Sequence, residues 1–569
     1  MSELPSRYIK DGVECEEVQS ARRLSESLLW TLQEEYYANK SLKAWERVPF
    51  YSTSRMMFVG AIAELVSKFL LDLGQDLNFA EPVYILELGG GSGCFAYRFI
   101  NQLKELLADF EQFKSLRFQY ILSDFAKANV DAHLRNLRIR PLIDSGELEV
   151  AVYDPQISNT VKLEVSGQTL CRGKLKNPLL IIANYFFDTI KQDAFRIIDG
   201  VLKETQIALY REMSGGESSP ELDEGSSPEL DGGSSPEPEG ESSPRVSIQE
   251  IKMSETYADI GLPYYNDPYL DSILAFYQNN LADSSVIFPI GAMRSLANLS
   301  DLADGKLAAF VSDKGFASLD SKQVLGLRTQ EFAEHGAFSF DVNFDSIKRY
   351  VENKGGAALI ESGDHSSLGF IFATTWPAKA ELAKQFFRQS LQKRDVCNAS
   401  YNLEEFTFVG CEHGRNFVRP YLTNFVSIVQ SSNFDPFIFD GAFARLFEGL
   451  VPELTEMDSE QEREVTELLR ETFNNIFNVA NDYCDLAAIL EFCMCWHKYE
   501  FCLELALEAN STLGPSRKAF DYAAIACEHL ERGPEAYEYF RQSVELKPDH
   551  DWAREGMERN RAHCNKSVP

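Results

Sequence analysis

Positive charge is scarce in this chain. Lys and Arg number 55 against 87 Asp and Glu, a formal net charge of −32 over 569 residues. That balance speaks against a nucleic-acid binder working through a basic surface. It suits a basic protein or peptide partner, which an acidic field steers inward. No apolar run approaches the ~18–20 residues that a membrane span needs, so no membrane association is expected. The eleven Cys are odd in number and follow no disulfide spacing, which suits a reducing compartment. Neither Cys411 with His413 nor Cys493 with Cys495 makes a four-ligand zinc set, so no metal is expected. No signal peptide is recognisable, and Glu3, Asp11, Glu14, Glu16 and Glu17 argue against a basic transit peptide. The expected location is cytoplasmic.

What the chain does have is 44% apolar residues, enough for real cores, and a length that implies more than one domain. Its organising stretch is VYILELGGGSG, Val83 to Gly93. Val83–Leu88 has the composition of a strand buried on both faces. Residues 94–110 carry helical spacing, with Phe99, Leu103, Leu106 and Phe110 on one stripe. Gly89, Gly90, Gly91 and Gly93 therefore occupy a strand-to-helix turn. Lacking Cβ atoms, they let the turn fold tightly and a ligand approach the backbone, where the helix start offers free N–H donors. A dinucleotide fingerprint, G-x-G-x-x-G, fails because Cys94 stands in its sixth position. A P-loop fails because no Lys follows Gly93.

Further apolar runs predict strands ending at Asp124, at Tyr153 just before Asp154, and at Ala183 just before Asn184, with Asp188 four residues after Asn184. The carboxyl ends of parallel strands form the ligand crevice, so these polar residues are candidates for it. An Asp at such a place can also cap the next helix or turn. Residues 1–80 read as a helical layer and 81–377 as an α/β core. Within that core, 214–244 is an acidic Ser/Pro insertion, with Ser-Ser-Pro-Glu recurring and too little apolar content for a core. Residues 378–569 read as helical, with repeats of about 34-residue pitch clearest over 485–555. Ala536, Phe540 and Pro548 fall where a tetratricopeptide pattern wants them.

Glu87-x-Gly89-x-Gly91-x-Gly93 resembles motif I of the class I S-adenosylmethionine (SAM) methyltransferases. Residues 30–375 as a whole resemble the MidA-like family of those enzymes. The resemblance rests on the order of the motifs: Tyr36-Tyr37, the loop from Phe50 to Ser54, the glycine turn, ANYFFD (Ala183 to Asp188), SDKG (Ser312 to Gly315) and FDVNFDSI (Phe340 to Ile347). It implies a Rossmann-like, seven-stranded sheet with inserted elements, joined here to an added all-α repeat block. It also implies SAM as cofactor, held by Glu87, Gly89, Gly91, Gly93, Asp124 and Asp154. Glu87 would lie near the ammonium group, Asp124 at the ribose hydroxyls and Asp154 near adenine. Asn184 and Asp188 would stand at the methyl group as catalytic residues, with Asp341, Asn343 and His335 at the rim. Arg55 reads either as a cofactor-carboxylate contact or as a residue at a helix start. The family's arginine-methylating branch makes a protein substrate the expectation, docked by the repeats. Two departures bear on that chemistry: Tyr185 stands where the family has Glu, and Lys314 where it has Tyr. They leave a second reading open, a catalytically weak or inactive methyltransferase-like scaffold for protein assembly.

Overall fold

The computed structural model describes residues 7–10, 13–40, 51–213, 250–317, 338–361, 368–391, 421–477 and 484–564. They divide into two compact units. One takes Met1–Asn39, Thr189–Ile290 and Leu319–Phe340, and the other Lys40–Asp188, Gly291–Ser318 and Asp341–Pro569.

The second unit contains a seven-stranded sheet. Its strands in chain order are β1 (Val83–Leu88), β2 (Phe118–Asp124), β3 (Leu148–Val152), β4 (Leu179–Asn184), β5 (Leu307–Asp313), β6 (Ala357–Glu361) and β7 (Gly369–Thr374). Their spatial order is β6-β7-β5-β4-β1-β2-β3. The five strands β1 to β5 run parallel, and β7 lies antiparallel to both neighbours. This departs from the dinucleotide-binding order 3-2-1-4-5-6 only by the last hairpin, which slots β7 between β5 and β6. The central strands are buried on both faces, which is why they read as unbroken apolar runs. Helix α1 (Met56–Leu73) packs on the sheet through Phe58 and Phe69, the latter 6.3 Å from the Phe310 ring centroid. Helices α2 (Cys94–Ala108) and α3 (Lys127–Arg135) follow β1 and β2.

The C-terminal region is all-helical: α4 (Tyr421–Ser431), α5 (Pro436–Leu454), α6 (Ser459–Asn474), α7 (Cys484–Cys495), α8 (Tyr499–Thr512), α9 (Arg517–His529), α10 (Gly533–Leu546) and α11 (Asp551–Cys564). Helices α8 and α10 start 34 residues apart, and so do α9 and α11. Ala536 and Phe540 are fully buried. A Cβ on Gly556 would come within 2.5 Å of the Phe540 ring, so α10 and α11 approach closely.

These helices are fastened to the sheet's own helices. Asp435, the N-cap of α5, accepts from Phe437 N at 3.0 Å and also from Met56 N at 2.7 Å, at the start of α1. Its carboxylate pairs with Arg55 at 3.3 Å, and the Arg55 guanidinium lies 3.4 Å from the Phe437 ring centroid. Arg55 is therefore committed to the helical region; that contact takes the place of the cofactor-carboxylate role. At the other end of α6, the carbonyls of Phe473, Asn474 and Asn475 accept from Arg138 (3.2 Å), Tyr97 (2.9 Å) and Arg98 (2.9 Å). Helix C-termini leave such carbonyls without intrahelical partners, and cationic side chains suit them.

The first unit holds a six-stranded antiparallel sheet. Its order is Arg7–Lys10, Val13–Arg23, Val201–Glu212, Asp193–Ile198, Ser284–Phe288, with Ile251–Asp259 also paired to Val201–Glu212. The expected helical layer over 1–80 is thus corrected at its start, where Arg7–Lys10 and Val13–Arg23 form a hairpin. The acidic Ser/Pro insertion lies outside the described residues. It joins two strands of one hairpin, since Arg211 pairs with Ile251. Among the described residues, no helix is long and apolar enough to cross a membrane.

Candidate active site

Strand order reverses between β1 and β4, and the crevice of an open α/β sheet lies at the carboxyl ends of strands at such a point. Leu88 pairs with Ala183, so the glycine turn and Asn184 leave the sheet side by side. Ser312 pairs with Asn184 on the other flank, which brings Asp313 next to the same edge.

Gly89, Gly91 and Gly93 have φ of 65°, 53° and 80°, a region that side chains disfavour. Much of the turn's closeness serves the chain's own packing. A Cβ on Gly89 would come 2.7 Å from Phe186, and one on Gly90 2.0 Å from Leu122. Gly90→Ala is therefore expected to destabilise the fold by about 1–3 kcal/mol through overpacking. The check is thermal unfolding of Gly90→Ala with and without Leu122→Ala; the double variant should recover part of the loss.

Glu87 is sealed beneath the turn. It is 3% exposed, and its Oε2 accepts from the Tyr120 hydroxyl at 2.9 Å. Burial, with a smaller push from Asp124, raises its pKa to about 8. Burial thus disfavours its ionised form, which a cationic group placed beside it would favour. Asp124 is buried too, with three donors: Gly91 N (3.3 Å), Ala126 N (2.8 Å) and Asn129 Nδ2 (3.1 Å). Burial lifts its pKa to about 6 despite these bonds. A carboxylate has about four acceptor positions, so one remains for a ligand hydroxyl. Asp154 closes a turn, its Oδ1 accepting from Gln156 N at 2.9 Å.

Asn184 is the exception to this internal bookkeeping. Both polar atoms of its amide are buried, and neither has a hydrogen-bond partner among the described residues. Such groups are costly unless something satisfies them, so this amide fits a polar ligand at the crevice. Next to it Tyr185 has φ of 49°, an uncommon conformation for a non-glycine residue. Lys314 Nζ lies 5.9 Å from the Tyr185 ring centroid, so the chain's two departures from the family pattern are neighbours.

Asp188 is 2% exposed and Asp313 fully buried. Asp313 accepts from Phe187 N at 2.7 Å, Asp188 N at 3.2 Å and Lys314 N at 2.9 Å. Burial, and then the charge of Asp188, push its pKa well above the carboxylate range. The sequence offers Asp313 only as part of SDKG; its place at the end of β5 was the available signal. Asn343 is 1% exposed and caps the helix Phe344–Asn353 by accepting from Ser346 N. His335 lies outside the described residues.

No family model matches the chain, and no curated protein does. Among solved structures it is similar to two COG1565 superfamily proteins from Burkholderia thailandensis. The first shares 12% identity at a TM-score of 0.32, over 62% of this chain and 92% of the other. The second is provisionally described as a methyl transferase and is bound to S-adenosyl-homocysteine. It shares 11% identity at the same TM-score and coverage.

Proposed function

We propose that the chain is a SAM-dependent methyltransferase of the MidA-like kind, acting on a nitrogen of a protein substrate. The observation that carries this reading is the unpartnered Asn184 amide beside the glycine turn, at the reversal point of the strand order. When bound, SAM supplies a methyl group on a sulfonium, open to in-line displacement. Asp124 would accept from a ribose hydroxyl at its remaining position, and Asn184 would hydrogen-bond the ligand's polar end. Asp188 would orient the nucleophile's N–H or accept its proton. Burial, and then the Asp188 charge, raise the pKa of Asp313 beside it. The protein's main contribution would be alignment, which can lower a barrier by several kcal/mol. The helical pairs of 34-residue pitch support a tetratricopeptide-like docking role for α8 to α11.

A second reading, a scaffold with a methyltransferase-like core, is favoured by one observation. Gly91's N–H already donates to Asp124, so that one donor of the turn is not offered to a ligand.

Titration calorimetry with S-adenosyl-homocysteine tests the binding half of the proposal. Asn184→Ala should weaken binding by about tenfold, the worth of a hydrogen bond near 1.4 kcal/mol. The same change should leave thermal stability equal or higher, since it deletes a buried group with no partner in the fold. Unchanged affinity, or no binding by the parent protein, would overturn the reading. A labelled-methyl assay on lysate proteins separates enzyme from scaffold.

A further inference from the structure

Two buried residues of α3 face the glycine turn and Asp124. His133 is 1% exposed, and its Nε2 lies 2.8 Å from the Gly91 carbonyl oxygen. A carbonyl only accepts, so Nε2 carries the proton and donates it. Nδ1 is then an acceptor, buried and, among the described residues, without a partner. Asn129, one helical turn earlier, is 2% exposed; its Nδ2 donates to Asp124 and its Oδ1 is likewise buried without a partner. Residues four apart lie on one helix face.

The Gly91 peptide group is therefore gripped from both sides, its N–H by Asp124 at 3.3 Å and its C=O by His133 at 2.8 Å. A left-handed glycine has a soft backbone, and three consecutive glycines leave the turn many conformations to lose. The grip removes that freedom before any ligand arrives, and it fixes the Asp124 carboxylate relative to the turn. Burial lowers the His133 pKa to about 4, so the neutral, Nε2-protonated ring persists through the physiological range. A cationic ring could also donate to Gly91, but only by burying a charge.

We propose that His133 is a positioning residue for the ligand turn, acting through Gly91, with Asn129 doing the same for Asp124. This rests on the reading that the turn binds a SAM-like nucleoside.

The test compares full-length parent protein with His133→Gln and His133→Leu. Glutamine keeps an N–H donor and an acceptor of similar reach; leucine keeps only the bulk. Two readouts are used: S-adenosyl-homocysteine affinity by calorimetry, and amide hydrogen exchange of the peptide spanning 87–94. His133→Leu should weaken binding by about tenfold, the effect of losing one hydrogen bond, and speed exchange in that peptide. His133→Gln should restore both to within about threefold of the parent, which general loss of stability would not do. Parent-like affinity in His133→Leu, or equal loss in both variants, would overturn the proposal. If the parent binds no nucleoside, the proposed function fails. The grip on Gly91 is then judged by exchange alone: faster exchange in His133→Leu but not in His133→Gln upholds it, and identical exchange overturns it.

Discussion

Replacing Asp435 by alanine should lower stability by about 3–5 kcal/mol, the cost of breaking one partner out of a buried ion pair. The Asp435 side chain is 2% exposed and that of Arg55 10%. The loss has three physical parts. Met56 N and the first amides of α5 lose their acceptor, and a lost cap alone costs about 1 kcal/mol. The Arg55 guanidinium is left desolvated against Phe437. The seam between α1 and α5 then opens. Asp435→Asn separates these parts, because it keeps a capping oxygen and loses the charge; it should fall between parent and Asp435→Ala. Limited proteolysis is the direct check, since Asp435→Ala should release the helical region as a fragment at protease levels the parent resists. Equal resistance of all three proteins would show that α6, held by Arg138, Tyr97 and Arg98, secures the seam alone.

How much of this was legible beforehand depends on what kind of pattern each element carries. The central strands were readable because burial on both faces leaves an apolar run, as in Leu179–Asn184. The first unit's sheet was not. Val13–Arg23 reads VECEEVQSARR, a half-exposed strand whose charges hide the period-2 signal. Its longest strand, Val201–Glu212, is separated from its hairpin partner by the acidic insertion. The glycine turn was visible at once, and so were the polar strand ends. Asn129 and His133 were not, because KANVDAHLR has the composition of a surface helix although four of its residues are buried. Asp435 before Pro436 is a readable helix start. Nothing in the sequence says that the same carboxylate reaches back 380 positions to Arg55.

The other large effect concerns pH. Unfolded, Glu87 titrates near 4.5; folded, burial holds it at about 8. Between those values the folded state binds more protons than the unfolded one. Stability therefore falls as pH rises through that window, by 1.36 kcal/mol for each unit of pKa difference per group. Fully expressed above pH 8, the penalty is on the order of 5 kcal/mol, an upper figure because relaxation and water entry soften it. Glu87→Gln removes the ionisation and keeps an oxygen to accept from Tyr120. The stability of Glu87→Gln relative to the parent should thus be near zero at pH 5 and grow to about 2–4 kcal/mol by pH 9. Taking the difference between the two proteins cancels groups that do not interact with Glu87; Asp124, which does, contributes a smaller coupled part. Urea unfolding at pH 5, 7 and 9 reads it directly. A difference that stays flat across the series would mean that Glu87 is solvated and charged in the folded protein. The carboxylate would then be available to a cationic ligand after all, and the buried-acid account of the turn would be the part to discard.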